Sequence, residues 1–222
     1  MNYCPIFIDV RDQPCLVVGG GAVGTRKAAT LLECGARITV IDPSPAKRLR
    51  ELAGQDQLRL IRRPYAASDL QDVLLVFAAT DDNDLNRRIG RDARQRGLLC
   101  NVATHPEIGG FILPAVMRRG DLTVAISTQG GSPALAKRLR QQLEEQFGDE
   151  YAVFLQLMKA VRKRLLAQGH APELHKALFE QLLDSELIAL IENRHWEAVN
   201  RILYRILGAG YSFEDLMQSE AH

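Results

Sequence analysis

Short apolar runs of strand length alternate with longer stretches in which apolar residues recur every three or four positions, and this alternation fills the first half of the chain. Residues 6–10 predict a lead-in strand. Cys15-Leu16-Val17-Val18 is a continuous apolar strand stopped by Gly19-Gly20-Gly21. Residues 22–34 have helical spacing, and Gly35 suits the left-handed position past a helix end. Residues 37–41 and 58–61 predict two further strands, and 73–79 is an apolar run of strand length. Residues 83–96 carry Leu85, Ile89 and Ala93 on one helical stripe, with Gly97 as the stop, and 98–102 return to strand. Strands alternating with helices imply a parallel sheet covered on both faces.

The pattern changes after Pro106. Residues 111–113 and 122–127 predict two strands. Ser132-Pro133 then opens a helix, since serine caps well and proline is tolerated in the first turn. Leu135, Leu139, Leu143 and Phe147 form its apolar face. Beyond about residue 150 the chain is helical, with stripes at Phe154, Leu157, Val161 and Leu165, at Leu178, Leu182 and Leu183, and at Val199, Ile202, Leu203 and Ile206.

The glycines add chemistry to this layout. Gly19-Gly20-Gly21-Ala22-Val23-Gly24 is a GxGxxG placed between a buried strand and a helix. That context suits a dinucleotide: Gly19 allows the tight turn, Gly21 lets the backbone approach a pyrophosphate, and Gly24 lets helix and strand pack closely. Ala22 and Val23 start the helix whose free N–H groups face the phosphates. Asp42 follows the second strand, 23 residues after Gly19, close to the offset at which an acid receives the ribose hydroxyls. With Pro43 and Ser44 beside it, this carboxylate favours NAD over NADP, because it repels a 2′-phosphate. Thr80 and Asn101 stand where two further strands end and are candidate cofactor contacts, whereas Asp81 and Asp82 are better read as capping the next helix. A second candidate site is the loop Ser127-Thr128-Gln129-Gly130-Gly131-Ser132. It feeds a helix N-terminus and lies among Arg118, Arg119, Lys137, Arg138 and Arg140, a surface suited to carboxylates or phosphates.

Composition narrows the picture. The apolar fraction is 46% and the charged fraction 25%, values of a soluble globular protein. A formal net charge of +1 supplies no whole-molecule attraction for nucleic acid or an anionic membrane. Cys4, Cys15, Cys34 and Cys100 form no CxxC pair and read as reduced thiols. With no apolar run of membrane-spanning length and no secretory leader, a cytoplasmic location is expected. His170 and His175 are spaced off a common helix face and His195 and His222 are isolated, so no metal site is expected.

Six ordered segments resemble the precorrin-2 dehydrogenase family, which also forms the N-terminal module of sirohaem synthases. They are Pro5-Ile6-Phe7, VVGGGAVGTRKA at 17–28, AATDDNDLN at 78–86, CNVATHP at 100–106, FILPAV at 111–116 and ISTQGGSPALAKRLR at 126–140. The resemblance covers roughly residues 3–147. It implies NAD-dependent oxidation of precorrin-2 to sirohydrochlorin, on the way to sirohaem or cobalamin. It also implies a homodimer whose contacts involve the segment after about residue 114. The substrate is a tetrapyrrole ringed with carboxylate arms, which matches a substrate set of Thr128, Gly130, Gly131, Ser132 and Lys137. Some members also insert iron. The fold class is then α/β: a Rossmann-type parallel sheet in 1–113, a short mixed α/β dimerisation segment in 114–147 and a helical domain in 148–222. One departure stands out. The family places an aspartate, the usual acid/base candidate, where this chain has Thr104. Threonine is no base near neutral pH, which moves attention to the adjacent imidazole of His105 and makes metal insertion less expected. Two other functions compete with the dehydrogenase: an NAD-binding regulatory domain without turnover, and a bifunctional dehydrogenase and sirohydrochlorin ferrochelatase.

Overall fold

The computed structural model describes residues 3–168 and 172–218. Their apolar runs and periodic stretches resolve into two compact units, 1–113 and 114–222.

In the first unit, β1 (Pro14–Val18), β2 (Arg37–Ile41), β3 (Arg59–Ile61), β4 (Leu75–Ala78) and β5 (Leu99–Val102) form one sheet in the order β3-β2-β1-β4-β5. All four pairings are parallel. The order reverses between β1 and β4, as in a Rossmann-type sheet, and opens a crevice beyond their carboxyl ends. Alternate side chains go to opposite faces. Cys15, Val17, Ile38, Val40, Leu75 and Phe77 pack with Ala28 and Leu31 of α1 (Ala22–Glu33) and with Leu49 and Leu52 of α2 (Lys47–Gly54). Leu16, Val18, Ile41, Val76, Ala78, Cys100 and Val102 pack with Ile89 and Ala93 of α3 (Asn83–Gln95). Both faces are covered, which is why the central strands β1 and β4 read as unbroken apolar runs rather than alternating ones.

The second unit opens with a hairpin, β6 (Ala115–Arg119) against antiparallel β7 (Leu122–Ile126), turned at Gly120 and Asp121. Gly120 has φ +55, and a Cβ there would lie 2.8 Å from that of Ala152. The helix α4 (Pro133–Gln146) packs on the hairpin. A helical cluster follows: α5 (Glu150–Ala167), α6 (Pro172–Leu183), α7 (Leu187–Glu192), α8 (Trp196–Leu207) and α9 (Phe213–Gln218). Phe154, Leu157, Val161, Leu165, Leu182, Leu187, Val199 and Leu203 are its buried centre. Among the described residues no helix is long and apolar enough to cross a membrane.

Several expectations change. Residues 6–10 are not a strand: Phe7 is 77% exposed and only Val10 is buried. The strand they lead into already has β2 on one side and β4 on the other, so no free edge lies beside them. Residues 111–113 are not a strand either. A single bond from Asn101 Nδ2 to the Phe111 carbonyl (3.0 Å) and an edge-on contact between the Phe77 and Phe111 rings hold that stretch, and the strand begins at Ala115. The helix α2 was not foreseen, since Leu49 and Leu52 are its only core residues, and the short α7 and α9 were also missed. On α4 the expected apolar face is partly uncovered: Leu135 is 47% and Leu139 38% exposed. Leu183, expected beside Leu182, is exposed.

Burial governs the thiols. None of the four cysteines forms a disulfide. Burial pushes the Cys15 thiol up to about 11 and the Cys100 thiol up to about 12. At about pH 8 a thiol of the first kind is ionised in roughly one molecule in a thousand. Alkylation of the native protein with iodoacetamide, read by mass spectrometry, should therefore label exposed Cys4 first and reach Cys15 and Cys100 only after denaturant is added.

Candidate dinucleotide site

Where β1 ends, the glycine-rich turn is held by backbone against backbone. Gly19 has φ +105, and a Cβ on it would lie 2.4 Å from the Ala79 carbonyl oxygen at the end of β4. A Cβ on Gly24 would lie 1.8 Å from the Gly19 carbonyl oxygen, so α1 approaches β1 more closely than any side chain permits. Gly21 differs. It is the residue preceding α1, and a Cβ there would meet nothing within 4 Å among the described residues. Its lack of a side chain serves open space, where a ligand backbone can approach. Ala22 and Val23 form the exposed first turn of α1. This cradle fits a pyrophosphate: a helix N-terminus without a side-chain cap, a bare glycine before it, and no acid in the first turn.

Asp42 stands at the carboxyl end of β2 beside this turn. Its carboxylate accepts the Gly20 N–H (2.5 Å) and the Ser44 N–H (2.6 Å), and the Ala46 N–H donates to the Gly20 carbonyl (2.9 Å). One acid thus joins the β2–α2 loop to the glycine turn and sits where ribose hydroxyls are received in this fold. Pro43 and Ser44 are exposed next to it.

The ends of β4 and β5 carry the other candidates. Asp82 caps α3 as expected, accepting the N–H groups of Asp84 (2.9 Å) and Leu85 (3.0 Å). The Thr80 hydroxyl donates to Asn86 Oδ1 (2.8 Å) and the Thr80 N–H to the same atom (3.1 Å). Asn86 Nδ2 returns a bond to the Thr80 carbonyl (2.9 Å) and reaches Thr104 Oγ1 at 3.5 Å. The fully buried Asn86 therefore ties the end of β4 to the residues after β5, and a sequence reading misses it because it looks like one more polar helix residue. Asn101 is buried, with its amide nitrogen directed to Phe111. His105 Nδ1 lies 3.0 Å from Glu107 Oε1, a partner that the sequence did not single out. On α1, Lys27 holds its ammonium 5.9 Å above the Phe77 ring, and burial, helped by Arg26, pushes it down to about 8.

In the second unit the glycine loop is built by its own hydroxyls. Ser127 Oγ accepts the Gln129 N–H, Thr128 Oγ1 accepts the Ser132 N–H (3.1 Å), and Ser132 Oγ caps the Leu135 N–H (3.2 Å). The Gly131 N–H donates to the Thr128 carbonyl, while Gly130 sits at φ +86. Lys137 and Arg138 are exposed, whereas Arg140 pairs with Glu144. Among the described residues no group of three or more His, Cys, Asp or Glu side chains is placed to hold a metal ion. His170 and His222 lie outside the described residues.

Sheet order and glycine cradle together define a dinucleotide-binding protein of Rossmann type. Comparison with known proteins narrows the class. Residues 6–115 match a family model described as "Putative NAD(P)-binding", and residues 119–146 match one described as "Sirohaem biosynthesis protein central". The siroheme synthase of Thioalkalivibrio sulfidiphilus is 34% identical over 215 residues, covering 97% of this chain and 44% of that protein. That of Methylococcus capsulatus is 36% identical over 203 residues, covering 91% and 43%. Among solved structures, the precorrin-2 dehydrogenase SirC superposes with a TM-score of 0.76 at 27% identity, covering 92% of this chain and 98% of its own. The chain spans about half the length of the curated relatives it matches. It belongs to the family of sirohaem-biosynthesis proteins that these siroheme synthases and SirC represent.

The Asn86 bridge can be tested without any ligand. Asn86→Ala leaves the half-buried Thr80 N–H without its partner, a loss of about 1–3 kcal/mol in urea unfolding. An exposed substitution on the same helix, Arg91→Ala, should stay within about 0.5 kcal/mol of the parent.

Proposed function

We propose that this protein is an NAD-dependent dehydrogenase that oxidises precorrin-2 to sirohydrochlorin in sirohaem biosynthesis. One observation carries the reading: a complete dinucleotide cradle, Gly19 to Gly24 with Asp42, in a chain that matches nearly the whole length of a precorrin-2 dehydrogenase. NAD supplies the hydride acceptor, chemistry that no side chain of the protein provides.

The chain's own residues do the rest. Gly21, Ala22 and Val23 present the uncapped start of α1 to the pyrophosphate. Asp42 receives the adenosine ribose hydroxyls, with Pro43 and Ser44 forming the rest of that wall. Its negative charge disfavours a 2′-phosphate and so selects NAD from the two dinucleotides that the family model's description covers. Thr80 and Asn101 contribute at the nicotinamide end. Since the Asn101 nitrogen serves Phe111, its carbonyl oxygen is the group left to a ligand. Thr104 takes the place of the family aspartate and positions rather than titrates, through its contact with Asn86. His105 accepts the pyrrolic proton that leaves as conjugation in the macrocycle extends.

Substrate carboxylates are received by the loop at Thr128 to Ser132 and by the Lys137 ammonium. The hydroxyls of Thr128 and Ser132 shape that loop, so the backbone at Gly130 and the Lys137 charge carry most of the attraction. The protein acts as a homodimer through residues 114–147, where Leu135 and Leu139 of α4 leave apolar surface uncovered. Four cysteines outside any disulfide suit the reducing cytoplasm.

Anaerobic incubation with precorrin-2 and NAD, followed by absorbance, should yield sirohydrochlorin and NADH in equal amounts, and little with NADP. NAD binding by calorimetry without turnover would mean that the change from aspartate to Thr104 has removed catalysis and left a sensor. Asp42→Asn should weaken NAD by about tenfold or more, the worth of a charged hydrogen bond, and narrow the gap to NADP. His105→Ala should lower kcat by about a hundredfold or more while NAD affinity holds. Unchanged kcat in that variant would remove the imidazole from the reaction.

A further inference from the structure

His105 is not an isolated loop imidazole. The His105 backbone N–H donates to the Val102 carbonyl (3.3 Å), the Ile108 N–H donates to the His105 carbonyl (3.1 Å), and the Gly109 N–H donates to that of Pro106 (3.2 Å). These successive turns fix the backbone from 105 to 109, so that two side chains two residues apart meet, with Nδ1 3.0 Å from Glu107 Oε1. The imidazole is largely enclosed, its side chain 20% exposed, while the carboxylate, at 58%, stands towards solvent. An ionised carboxylate only accepts, so Nδ1 must donate, and a neutral ring then carries its lone pair on Nε2. Nε2 has no hydrogen-bond partner among the described residues. The Glu107 carboxyl is held below the usual range by its own backbone N–H, then by the bond from His105, with Arg87 of α3 as the other charge acting on it.

We propose that Glu107 is a positioning residue: its carboxylate holds the Nδ1–H of His105, so that Nε2 is the nitrogen that takes the proton from the substrate. The proton-transfer step rests on the dehydrogenase reading, whereas the dyad is a property of the free protein. In the reaction a C–H bond of the reduced macrocycle breaks and both its electrons leave with the hydride to the dinucleotide. A pyrrolic N–H bond breaks as well, its electron pair stays in the extended conjugated system, and the proton passes to Nε2. The resulting imidazolium faces the Glu107 carboxylate through Nδ1–H and returns its proton to water. This arrangement stabilises the charge that develops on the ring and prevents it from turning its N–H towards the substrate.

Two measurements test the proposal separately. The first uses the full chain, free of ligand, with 15N-labelled histidine at about pH 8, and reads the ring tautomer of His105 by NMR. The parent should show the Nδ1–H form, and Glu107→Ala should revert to the Nε2–H form that solvated imidazole prefers. Glu107→Gln, which keeps an accepting oxygen, should retain Nδ1–H. The second is turnover of precorrin-2 with NAD: Glu107→Ala should lower kcat about tenfold or more, with KM and NAD affinity within about twofold. Added to His105→Ala, it should cost nothing further. An Nε2–H ring in the parent, or a tautomer unmoved by Glu107→Ala, overturns the dyad. An Nδ1–H ring with kcat unchanged in Glu107→Ala overturns the positioning role. An Nδ1–H ring in a protein that never turns over precorrin-2 overturns the dehydrogenase reading, and with it the transfer step, while the dyad stands.

Discussion

Where β1 gives way to α1, three stretches of backbone converge with no room for side chains between them. The Gly24 Cα faces the Gly19 carbonyl, and Gly19 in turn lies against the Ala79 carbonyl at the end of β4. This convergence sets the distance of α1 from the sheet, and through it the packing of Ala28 and Leu31 over Val17 and Phe77. It also leaves the first turn of α1 open towards the crevice beyond the strands. A methyl group at Gly24 would push the helix off its strand, whereas one at Gly21 would meet only open space. The same motif thus contains glycines of two kinds, one that the fold's packing requires and one that it does not.

Around that junction, buried and half-buried polar side chains act as ties between strand ends. Asp42 joins the loop after β2 to the glycine turn, Asn86 joins β4 to Thr104, and Asn101 joins β5 to Phe111. Asp42 and Asn86 satisfy backbone groups just beyond the carboxyl ends of the strands, and Asn101 satisfies the Phe111 carbonyl, where an unpaired buried group is costly. These ties hold the segments that bear Thr104, His105 and Glu107 at the end of the sheet where ligands bind in this fold class. Scaffold and site are therefore made from the same bonds, and the residue exchanged relative to the family pattern, Thr104, remains part of the network through its hydroxyl.

How far each part was legible follows from how local its cause is. The strands β1 and β4 were visible because burial on both faces leaves unbroken apolar runs, and α1 and α3 because each is a helical stretch stopped by a glycine. The apolar residues 6–8 and 111–113 misled for different reasons: the first lead into a strand that already has a neighbour on each side, whereas the second run beside edge strand β5 but are held there by the Asn101 side chain rather than by a ladder of backbone bonds. The helix α2 escaped notice since two leucines three residues apart are a weak signal. Asn86 and Glu107 have no distinctive local pattern. Their importance appears only when their partners, Thr80 and Thr104 for one and His105 for the other, are brought beside them.

The sequence by itself determined the fold class, the glycine cradle and the position of Asp42, because each arises from spacing within a single strand–turn–helix or from the end of the next strand. The tertiary structure decided which polar side chains are ties and which are left to a ligand. It turned Asn101 towards Phe111, placed Asn86 in the interior, satisfied the hydroxyls of Thr128 and Ser132 within their own loop, and set Glu107 against His105. Hydrogen bonding and burial depend on distances between atoms, and apart from the repeat of a helix or strand those distances are set by packing rather than by order along the chain.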